Sequence, residues 1–587
     1  MISLRYDLIK EGVQDMDSLT DVKTEKGIRT RFAPSPTGFL QLGNIRTALF
    51  TYLFARKNQG VFILRIEDTD KERSKPEYEK DILETMKWLG LNWDEGPEVD
   101  GGFGPYRQSE KLDVYEKYLR QLLEENKVFY CFCPEEELEI QRQYQLSQGQ
   151  PMIYSGKCRD LSPAAAQENF RQGKKAIIRL KNNQGEKTVF DDLIRGRIEF
   201  EPGLIGDFSI AKGLREPLYN FSCVIDDFDM KITHVVRGED HVSNTPKQIL
   251  LQQALGFPTP KYAHLSMILA PDRSKLSKRH GAVPVREYRE EGYLAEALIN
   301  FLVLLGWHPE DEREIFSLKS LLKEFSLERV QKSGAVFNQL RLDWLNGFYL
   351  RNLSLESLTE KCLPYLIKAG LIKVSAESIP AQLIPVPTEE KWREQKYEIS
   401  ELSLSKKVSE LSLPKKVEES QEIVEFDYLT RVVGLYQQRL KKLSEIVELT
   451  DFFFKDKIVY SFELLRWKEM KDKEIKESLS VAEKTLEKVK TEDWQKQNLE
   501  TVLLAAAEKT GPKVQQADFR VKDRGDRGYL LWPLRVALSG KKASASPFEI
   551  TEVLGQEKTL KRIKQAKMLL EKNNKTLFSC FARSNKS

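Results

Sequence analysis

The feature that most constrains this chain is a strand–loop–helix–strand unit near its start. Ile28–Ala33 reads as a strand and Ile45–Asn58 as a helix, with Leu49, Leu53 and Phe54 at helical spacing. Gly60 closes that helix, and Val61–Ile66 is a nearly continuous apolar strand of the kind found in buried parallel sheets. A parallel pair of this type needs helices packed on its faces, so the chain opens as an α/β fold. Between strand and helix, Pro34 and Pro36 fix a rigid exit, while Gly38 and Gly43 let a ligand approach the backbone. The helix that follows presents free N–H groups and its positive end, a ready anion site.

The α/β pattern stops near residue 110 and returns near 216. Strands are expected near Cys223–Asp226, Thr233–Arg237 and His264–Leu269, with a helix over Asn244–Leu255. Between them, Glu- and Gln-rich helical segments alternate with short strands such as Ala176–Leu180. One domain (28–110 and 216–292) is therefore split by an α+β insertion (111–215). Beyond Tyr293 the pattern is helical: a junction domain over 293–374, then a helical domain over 426–587. The stretch 375–425 carries Pro380, Pro385 and Pro387 and a tandem nonapeptide, Ser400–Val408 and Ser409–Val417, whose copies differ only at the sixth position. Two copies are too few for a solenoid, so this is read as a solvated insertion.

With 587 residues, three to five domains of roughly 150 residues are expected. The net charge of +4 excludes a wholly basic nucleic-acid coat but not basic faces. Glu508–Lys542 holds nine Lys and Arg against four acids, and Lys558–Lys575 seven against one, with Phe519, Tyr529 and Trp532 interleaved. Aromatics and Arg in a basic setting suit single-stranded RNA loops. Six Cys in this length argue against a disulfide framework, and five His leave few candidates for His-dependent chemistry. No apolar run is long enough to cross a membrane. Residues 1–27 carry Asp7, Glu11, Asp15, Asp17, Asp21 and Glu25, unlike a presequence, and read as a disordered extension; a cytoplasmic location is expected.

The long motifs carry the identification. Arg31–Leu49 reads R-F-A-P-S-P-T-G-F-L-Q-L-G-N-I-R-T-A-L, and Arg65–Ser74 reads R-I-E-D-T-D-K-E-R-S. Then come G-P-Y-R-Q-S-E (Gly104–Glu110), R-G-E-D-H-V-S-N-T-P-K-Q (Arg237–Gln248), K-L-S-K-R (Lys275–Arg279), W-L-N-G (Trp344–Gly347) and W-P-L-R-V-A-L-S-G (Trp532–Gly540). In this order they resemble class I aminoacyl-tRNA synthetases, in the bacterial glutamyl form. The resemblance spans most of the chain apart from residues 1–27 and 375–425. It implies a Rossmann-type catalytic domain, an acceptor-arm-binding insertion and all-α anticodon-binding domains.

The same resemblance implies the reaction and its residues. ATP with Mg2+ activates L-glutamate to the adenylate, and the terminal adenosine of tRNA(Glu) then takes the glutamyl group through its 2′-hydroxyl; tRNA(Gln) is left open as a second acceptor. The nucleotide would be held by Pro36, Thr37, Gly38, Gly43, Asn44, Lys275, Leu276, Ser277 and Lys278. Lys278, assisted by Lys275, would stabilise the transition state, a task of positioning and charge neutralisation rather than covalent work. Gln41 and Asn44 complete the catalytic set, and Gln41 departs from the family, whose signature begins with His. Gln donates a neutral hydrogen bond but cannot carry charge. Glutamate would be held by Arg31, Ala33, Ser35, Glu67, Tyr219 and Arg237. Arg suits a carboxylate bidentately, and Glu67, acceptor-only when ionised, suits the ammonium.

Cys131, Cys133 and Cys158 cluster in the insertion, and with Tyr154 they resemble the Cys-x-Cys…Tyr-x-x-x-Cys zinc pattern of glutamyl-type synthetases. Structural zinc needs about four ligands, mostly thiolate. Two other readings stay open: a tRNA-modifying relative that lacks the C-terminal helices, opposed by Arg341–Lys575, and a weakened tRNA-binding paralogue, motivated by Gln41. A monomer is expected.

Overall fold

The computed structural model describes residues 27–182, 187–201, 204–276, 283–374, 397–399, 423–514 and 524–584. Ser277 and Lys278, Phe519, the tandem nonapeptide and the N-terminal extension lie outside the described residues. The chain divides into two compact units, 1–346 and 347–587.

In the first unit, strand β1 (Arg29–Phe32) leads through the proline loop to helix α1 (Leu42–Lys57) and then to β2 (Val61–Leu64). β1 and β2 pair in parallel with Arg31 opposite Ile63. Gly60 makes the tight return possible: a Cβ there would lie 2.3 Å from the Ile28 carbonyl oxygen. Because side chains alternate along a strand, Phe32, Phe62 and Leu64 face α1 in the main core, while Ile63 joins Met230 and Tyr262 on the other face. α1 is apolar on nearly all sides, burying Leu42, Ile45, Leu49, Phe50, Tyr52 and Leu53. It is packed between the sheet and the helices Ala295–Leu304 and Leu318–Glu324. Truncating a residue such as Leu49 to Ala costs about 2–5 kcal/mol in such a core.

The insertion supplies an antiparallel sheet of β3 (Val128–Cys131), β4 (Ile177–Leu180), β7 (Ser209–Gly213) and the short β8 (Glu216–Pro217). A hairpin inside it, β5 (Thr188–Asp192) and β6 (Gly196–Phe200), does not join that sheet. It returns to the catalytic sheet, where Asp192 pairs with Tyr262 of β10 (Lys261–Leu265), which in turn runs parallel to β9 (His234–Gly238). The sequence boundary at 111–215 therefore encloses two strands of the catalytic layer. The second difference is Cys223–Asp226, expected as a strand and found within helix α2 (Tyr219–Asp229). Phe221, Val224 and Ile225 recur at three- to four-residue spacing and are buried together; over so short an apolar run, strand and helix periods read alike. Helix α3 (Thr245–Leu255) follows β9 and ends at Gly256, whose φ of +72° suits a glycine cap.

The second unit is mainly helical, but where only helices were expected it also carries two small antiparallel sheets, one of Ile372–Val374, Tyr397–Ile399 and Ile423–Val424 and one of Lys513–Val514 and Arg524–Gly525. Its described helices include Leu355–Lys368, Asp472–Leu486, Lys496–Ala507, Gly528–Ser539 and a long segment over Pro547–Ser584 broken at Gly555. Arg562 is buried here against the carbonyls of Leu538 and Phe452 (2.5 Å each) and Lys455 (2.9 Å). Burial pushes its pKa down to about 10.

Candidate active site

A cleft of about 810 Å³ opens at the C-terminal ends of β1, β9 and β10, where open parallel sheets bind ligands. Its lining includes Ala33, Ser35, Thr37, Gly38, Gln41, Gly43 and Asn44 on one side, Glu67, Tyr219 and Arg237 on another, and Lys275 and Leu276 at the rim. Arg31 reaches it from β1. Pro36 is next to the cleft, its carbonyl accepting the Lys75 amide at 3.0 Å.

The loop of residues 34–41 is held from several sides. Pro34 O accepts from the Glu67 amide (3.0 Å), Leu40 N donates to Asp81 Oδ2 (2.9 Å), and Leu40 O accepts from the Val285 amide (2.8 Å). The side chain of Gln41, extended at the N-cap of α1, makes no capping bond; it donates to Phe39 O at 3.1 Å. The first amides of α1 are thereby left to the cleft, since the first turn of a helix has no internal acceptors. At Gly38 and Gly43 a Cβ would meet nothing within 4 Å, and neither has positive φ. The protein's own packing does not demand glycine there; what glycine provides is open approach to the backbone from the cleft. Lys275 sits on a tight return in which Leu269 bridges to it and Leu276 N donates to Ile268 O at 3.2 Å.

The other end of the cleft is built from buried charge. Arg31 on β1 and Arg65 just after β2 fall on one sheet face, and both converge on Asp227 of α2. Arg31 Nε donates to Asp227 Oδ1 at 3.0 Å and Arg65 donates to the same oxygen at 2.7 Å. Arg65 also donates to Glu67 Oε1 at 2.9 Å. Neighbouring Asp226 accepts from Lys111 (2.7 Å), Gln108 (2.7 Å) and Tyr115 (3.0 Å). Burial alone would raise the Asp227 carboxyl; the two guanidinium groups outweigh it and hold it below its ordinary value. Glu67 shows the opposite balance: burial raises it, and Arg65 and Arg31 offset only part of that rise.

Arg237 is different. It is 5% exposed, and its Nε, one terminal nitrogen and the other donate to His264 Nε2 (3.1 Å), Gln248 Oε1 (2.8 Å) and Thr245 Oγ1 (2.8 Å). Among the described residues no carboxylate pairs with it. Tyr219, beside it in the cleft, meets His241 Nδ1 at 3.1 Å, and burial followed by the charge of Arg237 pushes His241 down to about 4. Sequence reasoning did not single out His241, Thr245 or Gln248. They lie inside the Arg237–Gln248 motif, where Thr245 and Gln248 are one helical turn apart and so face the same guanidinium.

In the insertion, Cys131, Cys133 and Cys158 place their sulfurs within 4.8 Å of one another. The Tyr154 hydroxyl is 3.4 Å from Cys133 Sγ and accepts the Cys158 amide at 2.9 Å. Three convergent thiols and one phenol oxygen fit the donor set of a closed tetrahedral site.

Such a cleft, with helix amides and a lysine at one end and buried arginines at the other, is that of a nucleotide-dependent enzyme acting on a small acid. The chain belongs to the class I tRNA synthetases: the family described as "tRNA synthetases class I (E and Q), catalytic domain" matches residues 27–344. An "Anticodon binding domain" family matches residues 404–567. The "Glutamate--tRNA ligase" of Carboxydothermus hydrogenoformans is 42% identical over 537 residues, covering 91% of this chain and 99% of that protein. "Glutamate--tRNA ligase 1" of Caldicellulosiruptor saccharolyticus is 41% identical over 540 residues, covering 91% of this chain and 98% of that one. Among solved structures, a glutamate tRNA ligase from Elizabethkingia meningosepticum in complex with its amino acid superposes with a TM-score of 0.72. It is 30% identical, covering 92% of this chain and 99% of that chain.

Proposed function

We propose that this chain is a glutamate–tRNA ligase that activates L-glutamate with ATP and Mg2+ and transfers it to tRNA(Glu). The observation that carries the reading is Arg237, a buried guanidinium in the cleft whose hydrogen-bond partners among the described residues are all neutral acceptors. A buried cation without a counter-charge calls for an anion, and the side-chain carboxylate of glutamate supplies it. Arg31 lies across the same cleft, its charge already met by Asp227. Ala33, Ser35 and Tyr219 shape the pocket, and Glu67 receives the ammonium. Glutamine is refused because its amide NH2 would face guanidinium donors that have no lone pair to accept it.

The nucleotide lies toward the first turn of α1, with Thr37, Gly38, Gly43 and Asn44 at its phosphates, Gln41 as a neutral donor, and Pro36 and Leu276 beside it. The α-carboxylate of glutamate attacks the α-phosphorus of ATP, and pyrophosphate leaves. Lys275, with Lys278 and Ser277 of the same motif, neutralises the charge that builds on the leaving group. The 2′-hydroxyl of the terminal adenosine then attacks the activated carbonyl and AMP departs. No protein nucleophile is needed. Cys131, Cys133, Cys158 and Tyr154 would hold one structural zinc, which would supply a link between β3 and the segment after the helix Glu135–Ser147. The enzyme acts as a cytoplasmic monomer.

The test is ATP-dependent charging of purified tRNA(Glu) with labelled glutamate, run beside tRNA(Gln). Charging well above a no-enzyme control is expected. Bound tRNA with no charging would leave only a tRNA-binding protein. Metal analysis of protein purified without chelators should give one zinc per chain, and none would remove the metal centre.

A further inference from the structure

His264 lies behind Arg237, outside the cleft lining, and is fully buried. Its Nε2 is 3.1 Å from Arg237 Nε and 3.0 Å from Thr245 Oγ1. A guanidinium can only donate, so this ring nitrogen carries the lone pair and the imidazole is neutral. The proton therefore sits on Nδ1, which donates to Asp192 Oδ2 at 2.6 Å. Burial lowers the His264 pKa; the Asp192 bond opposes this, and the charge of Arg237 adds to it.

Asp192 is itself fixed at the end of β5. Its Oδ1 accepts the amides of Ile194 (2.9 Å) and Arg195 (2.8 Å), and its Oδ2 accepts the amide of His264 (3.1 Å). The carboxylate cannot turn without breaking several bonds, so it imposes one tautomer and one ring orientation on His264. Tyr262 stacks near-parallel on the His264 ring and lies 5.2 Å below the Arg237 guanidinium. A side chain as long as Arg loses considerable rotamer freedom when held. Arg31 has Asp227 to hold it, and among the described residues Arg237 has no acid in contact.

We propose that Asp192 and His264 are positioning residues of the amino-acid site: Asp192 fixes the neutral tautomer of His264, and His264 fixes the Arg237 guanidinium toward the substrate's side-chain carboxylate. The relay prepays the ordering of that guanidinium and so contributes to selecting an acid over its amide. This rests on the reading of Arg237 as the carboxylate-binding residue.

The test uses the full chain, with KM for glutamate and for ATP, kcat, and the ratio of glutamate to glutamine use measured in tRNA charging. His264→Asn keeps a donor toward Asp192 but removes the acceptor for Arg237. It should raise KM for glutamate roughly tenfold or more, change KM for ATP less than about twofold, and lower the preference over glutamine. His264→Gln sets an amide oxygen near the lost Nε2 and should recover most of the effect. Asp192→Asn keeps the shape of the carboxylate while favouring the wrong tautomer; because its NH2 also meets the His264 amide, its fold is checked by its urea midpoint, and the folded variant should reproduce the His264→Asn defect. It also stands in if His264→Asn fails to fold. Folded variants with an unchanged KM for glutamate overturn the relay. So do equal rises in both KM values with no recovery by His264→Gln. A wild-type chain that does not charge glutamate overturns the proposed function instead.

Discussion

The two ends of the cleft are built on opposite plans. At the proposed amino-acid end, Arg31, Arg65, Glu67 and Asp227 are buried and tied to one another, and Arg237 is tied by three neutral acceptors. At the proposed phosphate end, Gly38 and Gly43 face open space, the Gln41 side chain donates to the nearby Phe39 carbonyl, and Lys275 sits exposed at the rim. The difference follows from what each end must do. Telling glutamate from glutamine depends on unpaired donors being costly, which requires groups that cannot move or be rescued by water. A triphosphate brings several charges of its own and must later leave as pyrophosphate, so a looser grip serves it.

If this contrast holds, damage should scale with how fixed the altered group is. Arg237→Leu should lower kcat/KM for glutamate by on the order of 10³-fold, with a much smaller effect on KM for ATP, measured in tRNA charging. A uniform loss for both substrates would break the distinction between the two ends. Lys275→Ala comes next: kcat should fall by about 10²-fold with KM for glutamate within about twofold, as for removal of one charge-stabilising group. Gln41→Ala removes one neutral hydrogen bond and should cost less than about tenfold in kcat/KM for ATP. Gln41→His should act on that same parameter and leave glutamate selection alone.

The smallest expected effect is on stability against pH. His234, His241 and His264 all have folded pKa values below the ordinary 6.5, burial being the first cause in each, with His241 at about 4. Below pH 6.5 the unfolded chain takes up protons that the fold refuses, so stability is full above that pH and declines as pH falls toward 4. Urea midpoints taken between pH 7.5 and about 5 should fall, and His241→Asn should flatten part of the slope. A midpoint that rises on acidification would contradict neutral histidines around Arg237.

Much of the loop-and-helix end of the cleft was legible in the sequence because its parts are contiguous. A proline-fixed loop, two glycines and a helix start within Arg31–Leu49 form one local structure whatever surrounds them. The cysteine cluster was legible for the same reason: Cys131 and Cys133 are two residues apart and Tyr154 and Cys158 four, and the fold brings the three sulfurs within 4.8 Å. The buried-charge end of the cleft was only half legible. Arg31, Glu67, Tyr219 and Arg237 stood out within motifs, but nothing in the motifs said that Arg31 is charge-paired and Arg237 is not. Asp227 escaped notice because the stretch just before it, Cys223–Asp226, read as a strand and not as the helix that carries both.

The sequence by itself thus determined the order of elements, the βαβ entry to the fold and the residue types at the site. Those rest on local rules, the period of apolar residues and the stiffness of proline. Tertiary structure alone decided which charges meet: Asp227 with Arg31 across 196 residues, and His264 with Asp192 across 72. It also decided that the Thr188–Phe200 hairpin, lodged inside the insertion, belongs to the catalytic sheet. The reason is that a buried charge is defined by its partners and its distance from water, and both are set only when distant segments pack.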